Sequence, residues 1–205
     1  CARVDVRTEK KSPADFALWI HNPDHLMQWQ APWGSGYPGW HIECSAMAMK
    51  YLGETIDIHT GGEDNIFPHH ECEIAQSEGA TGKKFVRFWM HVTHLLVDGA
   101  RMGKSKNNFY RLDDLIEKGY APRDVRFLLL ATHYRQQLNF TFQALDAARN
   151  AIARLDTFVQ ALARHAPEKI GRATTVGSKA LAHVMSAIDD DLNVSEALAE
   201  VFEYV

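Results

Sequence analysis

His69 and Glu73 stand four residues apart in a stretch, Pro68 to Gly79, whose pattern predicts a helix. Their side chains then leave one face about one turn apart, while His70 points roughly 100° away. Two ligands at that spacing can share one metal ion. Cys44, at the start of a helix predicted around Ser45 to Tyr51, adds a sulfur, and a thiolate, an imidazole and a carboxylate together make a coordination sphere suited to Zn²⁺. No fourth ligand is visible. Cys72, three residues from His69, is an alternative, but it is turned by about 100° from Glu73 around the helix and ranks below it. The same residues also fit a small buried cysteine and a histidine at a helix start, because free cysteine is among the most buried residue types.

A second group of residues lies about thirty positions on. Arg101-Met102-Gly103-Lys104-Ser105-Lys106-Asn107-Asn108 carries three cations within six residues, next to Gly99 and beside two asparagines. A backbone of that composition is mobile and exposed, and it can close its charges on a polyphosphate, where they offset the charge that develops on a departing pyrophosphate. A solvated charged turn is the bland alternative. Between the two groups, Gly61-Gly62-Glu63-Asp64 follows a predicted strand. Glycines there let a ligand approach the backbone, as at the carboxyl ends of strands in nucleotide-binding folds, although a lone pair of glycines also suits an ordinary loop.

The elements that must position these residues alternate. Up to about Pro38 the chain is rich in aromatics and proline, with Trp19, Trp29, Trp33 and the turn Pro32-Trp33-Gly34-Ser35-Gly36, and reads as short strand pieces and loops, with ADFALWI a short strand or, alternatively, a helical turn. A helix stopped by Gly53 follows, then a strand from Thr55 to His59 with Ile56 and Ile58 on one face. Pro68 suits the first position of the next helix, where its missing N–H has no partner to lose. A strand from Phe85 to Val97 then runs into the turn Asp98-Gly99. This order predicts α/β packing with a parallel sheet.

From Leu112 the pattern turns helical. Asp113 precedes an apolar-periodic stretch and Pro122 opens a helix through Phe127, Leu128 and Leu130. Residues 141–164 place Phe142, Leu145, Ala148, Ile152, Leu155 and Val159 at three-to-four-residue spacing. Pro167 to Gly177 reads as a linker before a last helix pair broken near Asp189-Asp190-Asp191.

Size and composition set the outer limits. With 205 residues, 46% of them hydrophobic, the chain can bury a core and form one large or two small domains. No apolar run reaches the ~20 residues that cross a bilayer, and the opening CARVDVRTEKK lacks the regions of a signal peptide, so a soluble, cytoplasmic protein is expected. Cys1, Cys44 and Cys72 are odd in number and irregular in spacing, which suits free or ligating thiols better than a disulfide framework. A net charge of −4 does not imply a broad nucleic-acid-binding surface, so any RNA contact is local.

Taken in order, PGWHIECSAM, DIHTGGEDNIFPHHECEIAQSE, RMGKSKNNF and LLLATHYRQQLNFT resemble the cysteinyl-tRNA synthetases, class I aminoacyl-tRNA ligases, through essentially the whole chain. The resemblance implies an α/β fold, the C-terminal half of a Rossmann-like catalytic domain followed by an α-helical bundle. Its implied divisions are residues 1–37, the end of a connecting segment; 38–97, the second half of the catalytic domain with a zinc site; 98–120, a KMSKS-type loop and connecting fold; and 121–205, the bundle. It assigns Cys44, His69 and Glu73 as three of four ligands of a zinc that binds the substrate thiolate, with Cys72 a bystander. Trp40, His59 and Asp64 fall to the substrate pocket, and Lys104, with Arg101 and Ser105, to ATP. Arg101 keeps the charge of that loop's first lysine, whereas Gly103 lacks the hydroxyl of its first serine.

The implied reactants are L-cysteine, ATP with Mg²⁺ and tRNA(Cys), acted on by a monomer. The HIGH motif and the remaining zinc cysteine lie upstream in the family, and neither is found here, nor is the anticodon-reading end, so a fragment is expected. The rival readings are the mycothiol-pathway cysteine ligase, a noncatalytic RNA- or partner-binding fragment and, more remotely, a small zinc hydrolase built on His69 and Glu73.

Overall fold

A computed structural model describes residues 10–165 and 175–205. Cys1, the opening CARVDVRTE and most of the linker expected from Pro167 lie outside the described residues. The chain divides into two units, one ending at His91 and the other beginning at Val92.

The first unit opens with three short strands, β1 (Trp19–Ile20), β2 (Trp29–Ala31) and β3 (Gly34–Pro38), in the order β1-β3-β2 with antiparallel pairing. These match the strand pieces expected before Pro38, although only the last two residues of ADFALWI are strand. Helix α1 (Trp40–Leu52) starts five residues before the predicted Ser45, because Gly39 is extended and helical geometry begins immediately after it. Gly53, at φ 94°, ends the helix. Strand β4 (Ile56–Gly62) then runs through both glycines, and a single tight turn, Glu63–Asn65, follows.

A kinked entry segment, Ile66–His70, in which Phe67 is extended at φ −136° and ψ 132°, leads into α2 (Glu71–Thr81). Gly79 lies inside this helix rather than at its end. The stop is Gly82, whose left-handed φ of 67° directs its N–H to the Glu78 carbonyl. β4 pairs with β5 (Val86–Val92), and Ile56, Phe85 and Val86 form an apolar core packed against Ala48 and Met49 of α1 and against Trp89. Ile58 shares the strand face of Ile56 but is 61% exposed.

The predicted strand from Phe85 to Val97 is two strands, because the chain changes partners in between. Thr93 donates its N–H to the Tyr134 carbonyl and its hydroxyl to the Arg135 carbonyl. In the second unit, β6 (Leu96–Val97) pairs antiparallel with β7 (Ala100–Arg101) across the turn Asp98-Gly99, and parallel with β8 (Asn139–Phe140), a strand the sequence pattern did not announce.

The helices α3 (Leu112–Glu117), α4 (Pro122–Ala131), α5 (Phe142–His165), α6 (Thr175–Asp189) and α7 (Val194–Phe202) follow in the expected order. Their starts are chemically marked. The Asp114 carboxylate accepts the Arg111 N–H, and that of Asp124 accepts the Ala121 N–H. Val97, Leu115, Leu128, Phe140, Leu145 and Ala148 make this unit's core. The buried stripe of α5 runs through Ile152, whereas Val159, on the same predicted face, is 61% exposed.

Candidate metal centre and basic loop

The first unit brings Cys44, His69 and Glu73 together. One ligand atom from each lies within 4.8 Å of the other two, with His69 and Glu73 buried and Cys44 half-buried. Cys44 sits one turn inside α1, on the second turn rather than at the helix start, and α2 with its entry turn supplies the other two.

Polar side chains clamp these two helices to each other. Gln76 donates from Nε2 to the His41 carbonyl at 2.6 Å and to Ser45 Oγ at 2.5 Å, while its Oε1 meets His41 Nδ1 at 2.8 Å. The buried Ser77 hydroxyl donates to that of Ser45 at 2.9 Å. Ser45 follows Cys44 directly, and Gln76 and Ser77 lie one turn beyond Glu73. The clamp therefore fixes the thiol against the imidazole and carboxylate.

Glu73 has no solvent-exposed surface, and its two oxygens have different surroundings. Oε2 lies 2.7 Å from His59 Nε2, which must carry the proton because a carboxylate only accepts. Oε1 is also buried and lies 2.7 Å from His69 Nε2, in an alignment that falls short of a well-formed hydrogen bond. A buried lone pair left in this state costs about 1–3 kcal/mol unless a proton or cation sits where its neighbours converge. The donor set answers that need: one carboxylate and one thiolate balance a divalent charge, and a neutral imidazole completes a borderline-soft set of the kind zinc prefers.

The titration tendencies follow from the same burial. Loss of solvent pushes the Cys44 thiol up, helped by the carboxylates of Glu73 and Glu43. Burial pulls His69 down against the opposing pull of Glu73. His70 is lowered to about 4, by burial first and then by its neighbours His59, His91 and His69.

Around the triad stands an aromatic wall that residue types alone did not indicate. Trp40 lies over His69 with ring centroids 4.0 Å apart and is 62% exposed, so it borders the site from the solvent side. Trp89 lies 4.8 Å from both His59 and His70. His70 bonds through Nδ1 to His91 Nε2 at 2.8 Å. Its ring also occupies the space beside Gly61, where an added Cβ would lie 2.6 Å from His70 Cε1. The bare Cα that could have admitted a ligand admits this histidine. His59, His70 and Glu73 also form a second convergent set within 4.8 Å, sharing the Glu73 carboxylate.

Asp64 is exposed on the turn after β4. In the second unit, Arg101 ends β7, and Lys104, Ser105 and Lys106 form an exposed turn, with Lys104 Nζ 5.8 Å from the centre of the Phe109 ring. Gly103 has an extended φ of −170°, which any residue adopts, so backbone geometry does not require glycine at this position. Among the described residues, no helix is long and apolar enough to cross a membrane.

A family model described as the tRNA synthetases class I (C) catalytic domain matches residues 1–150. The cysteine–tRNA ligase of Protochlamydia amoebophila is 51% identical over 201 residues, covering 96% of this chain and 42% of that protein. The cysteine–tRNA ligase of Thermus thermophilus is 49% identical over 212 residues, covering all of this chain and 43% of that protein. Among solved structures, the agnB2 LeuRS of Agrobacterium radiobacter K84, in a ternary complex with tRNA and LeuAMS, matches 87% of this chain and 28% of its own with a TM-score of 0.65. At 13% identity that likeness is one of fold: an α/β class I synthetase catalytic architecture continued by helices. The chain spans less than half the length of these relatives, but the family model takes in well over half of the chain. It therefore belongs to the class I cysteinyl-tRNA synthetases.

Proposed function

We propose that this chain is part of a cysteine–tRNA ligase, in which Cys44, His69 and Glu73 hold a zinc ion that selects the substrate by its sulfur. The observation that carries this reading is the convergence of one ligand atom each from Cys44, His69 and Glu73 within 4.8 Å, around a Glu73 side chain with no exposed surface. When bound, zinc supplies a soft Lewis acid for a thiolate. Shape alone distinguishes single-atom differences by only about 1–3 kcal/mol, so a sulfur-seeking centre provides selectivity that a pocket for cysteine or serine otherwise lacks.

The chain's own residues do the rest. His59 holds the Glu73 carboxylate in place through its Nε2 proton. Trp40 covers one side of His69 and keeps bulk water from it. Asp64 borders the substrate from the turn after β4. Lys104, with Arg101 and Ser105, meets the phosphates of ATP, which arrives with Mg²⁺. In the first step the cysteine carboxylate attacks the α-phosphorus and pyrophosphate leaves. In the second, the terminal ribose hydroxyl of tRNA(Cys) takes the cysteinyl group and AMP departs. The residue divisions at 37, 97 and 120 and a monomeric parent belong to this proposal.

The test uses the full-length protein. Cys44→Ala and His69→Ala lower both bound zinc and cysteine-dependent pyrophosphate exchange, measured by metal analysis and isotope exchange. Unchanged exchange in both variants removes the metal assignment. Exchange without formation of cysteinyl-tRNA would redirect the reading to a ligase with a different acceptor, such as an amino sugar.

A further inference from the structure

We infer that Asn108 is a positioning residue that closes the neck of the basic loop, so that Arg101, Lys104 and Lys106 move as one body. This inference rests on the ATP-binding reading proposed above for its functional consequence, but its geometry stands apart from it. The Asn108 carboxamide uses both ends on the opposite stem of the loop. Its Oδ1 accepts the Gly103 N–H at 2.9 Å, and its Nδ2 donates to the Arg101 carbonyl at 3.2 Å. With both polar atoms engaged by backbone, this side chain acts on the loop rather than on a phosphate.

The rest of the loop is built to suit a closed neck. Within it, Lys106 N–H bonds to the Gly103 carbonyl and Asn107 N–H to that of Lys104. Asn107, at φ 52°, turns the chain back in the left-handed conformation that asparagine tolerates better than most residues. The foot is fixed as well, because Asn139 Oδ1 accepts the Gly99 N–H at 2.8 Å and ties the Asp98-Gly99 turn to β8.

Three like charges on a short exposed segment repel one another, and ordering each residue of an open loop costs about 1–2 kcal/mol in backbone entropy. A side-chain brace across the stems meets that cost before any phosphate arrives. The cations then approach in a fixed relation, and catalysis by positioned charge depends on that relation.

The experiment compares Asn108→Ala and Asn108→Asp with wild type in the full-length protein, by cysteine-dependent pyrophosphate exchange and by limited trypsin digestion after Arg101, Lys104 and Lys106. Asn108→Ala is expected to lower kcat/KM for ATP by about 10- to 100-fold, the scale of a small misplacement of reacting groups, with the KM for cysteine and the melting temperature unchanged. Its loop is cut several times faster. Asn108→Asp keeps an acceptor for the Gly103 N–H and loses the donor to Arg101, so its digestion rate falls between the two. An Asn108→Ala protein with wild-type digestion and wild-type kcat/KM for ATP overturns the inference. So does a parallel loss of melting temperature and cysteine KM, which marks general damage. If the wild-type protein shows no pyrophosphate exchange, the ligase reading fails, and the digestion rates alone decide the brace.

Discussion

At the scale of single residues, Cys44, His69 and Glu73 could be picked out because their types are unusual and the i, i+4 spacing is a helix property. What surrounds them could not. Trp89 and His91 come from a strand distant in sequence, and nothing local says that two aromatic side chains there will face His59 and His70. Gly61 is the instructive case. Its reading as an access point for a ligand followed from the absence of a side chain, but that absence is used by the buried His70 ring. Gly61→Ala therefore drives a methyl group to 2.6 Å from His70 Cε1, and the ring cannot swing freely because it is buried and bonded to His91. We expect a loss of about 1–3 kcal/mol, the usual cost of overpacking, read as a lower urea midpoint. A variant as stable as wild type would show that the His70 ring has room the structure does not give it.

At the scale of elements, sequence reading succeeded where apolar period or a backbone breaker marks the element, as in α4, α5 and the turn at Asp98-Gly99, and missed what is stabilised from afar. Two-residue strands such as β8 carry too few side chains for a period. The buried residues of α2 are Cys72, Glu73 and Ser77, and His69 is buried just before it, a largely polar set that hydrophobic patterning cannot report. The break before α7 was legible as a run of aspartates, but its anchor was not. Asp191 and Leu192 take left-handed φ values of 53° and 59°, a costly pair for residues other than glycine. Three successive residues after α4 hold that turn: His133 donates to the Asp191 carbonyl at 2.9 Å, and Tyr134 and Arg135 donate to its carboxylate, each at 2.5 Å.

The Arg135 and Tyr134 bonds hold the Asp191 carboxyl down to about 2 from 3.8. A depressed carboxyl contributes stability that is fully present above its unfolded value and is lost as the pH falls through the folded one. The stability gap between wild type and Asp191→Asn should then be constant from about pH 7 to about pH 5 and narrow from about pH 4 downward. Urea midpoints measured across that range check it. A gap that stays constant into strong acid would mean that the carboxylate charge is not what Arg135 and Tyr134 secure.

At the scale of the whole molecule, the two units are built on different resources. The second buries Val97, Leu115, Leu128, Phe140, Leu145, Ala148 and Ile152, an apolar core of ordinary kind. Among the described residues, the first has Ile56, Phe85 and Val86 as its core cluster, and it buries Ser45, His69, His70, Glu73 and Ser77 as well. An overall hydrophobic fraction of 46% averages over this difference, so composition could not reveal it. Where so much of a unit's interior is polar, a ligand that satisfies the polar groups becomes part of its stability. A metal at a hundred times its dissociation constant adds about 2.7 kcal/mol to the state that binds it. Chelation of the full-length protein should therefore speed amide hydrogen exchange in Trp40–Leu52 and Glu71–Thr81, the helices that carry Cys44 and Glu73, by up to about a hundredfold where exchange follows unfolding of that unit. Pro122–Ala131 and Phe142–His165 should keep their rates, because their packing involves none of Cys44, His69 and Glu73. Equal acceleration in both sets of helices would place the metal's stabilising contacts outside the triad, and no acceleration in either would mean that no metal held by Cys44, His69 and Glu73 stabilises this unit.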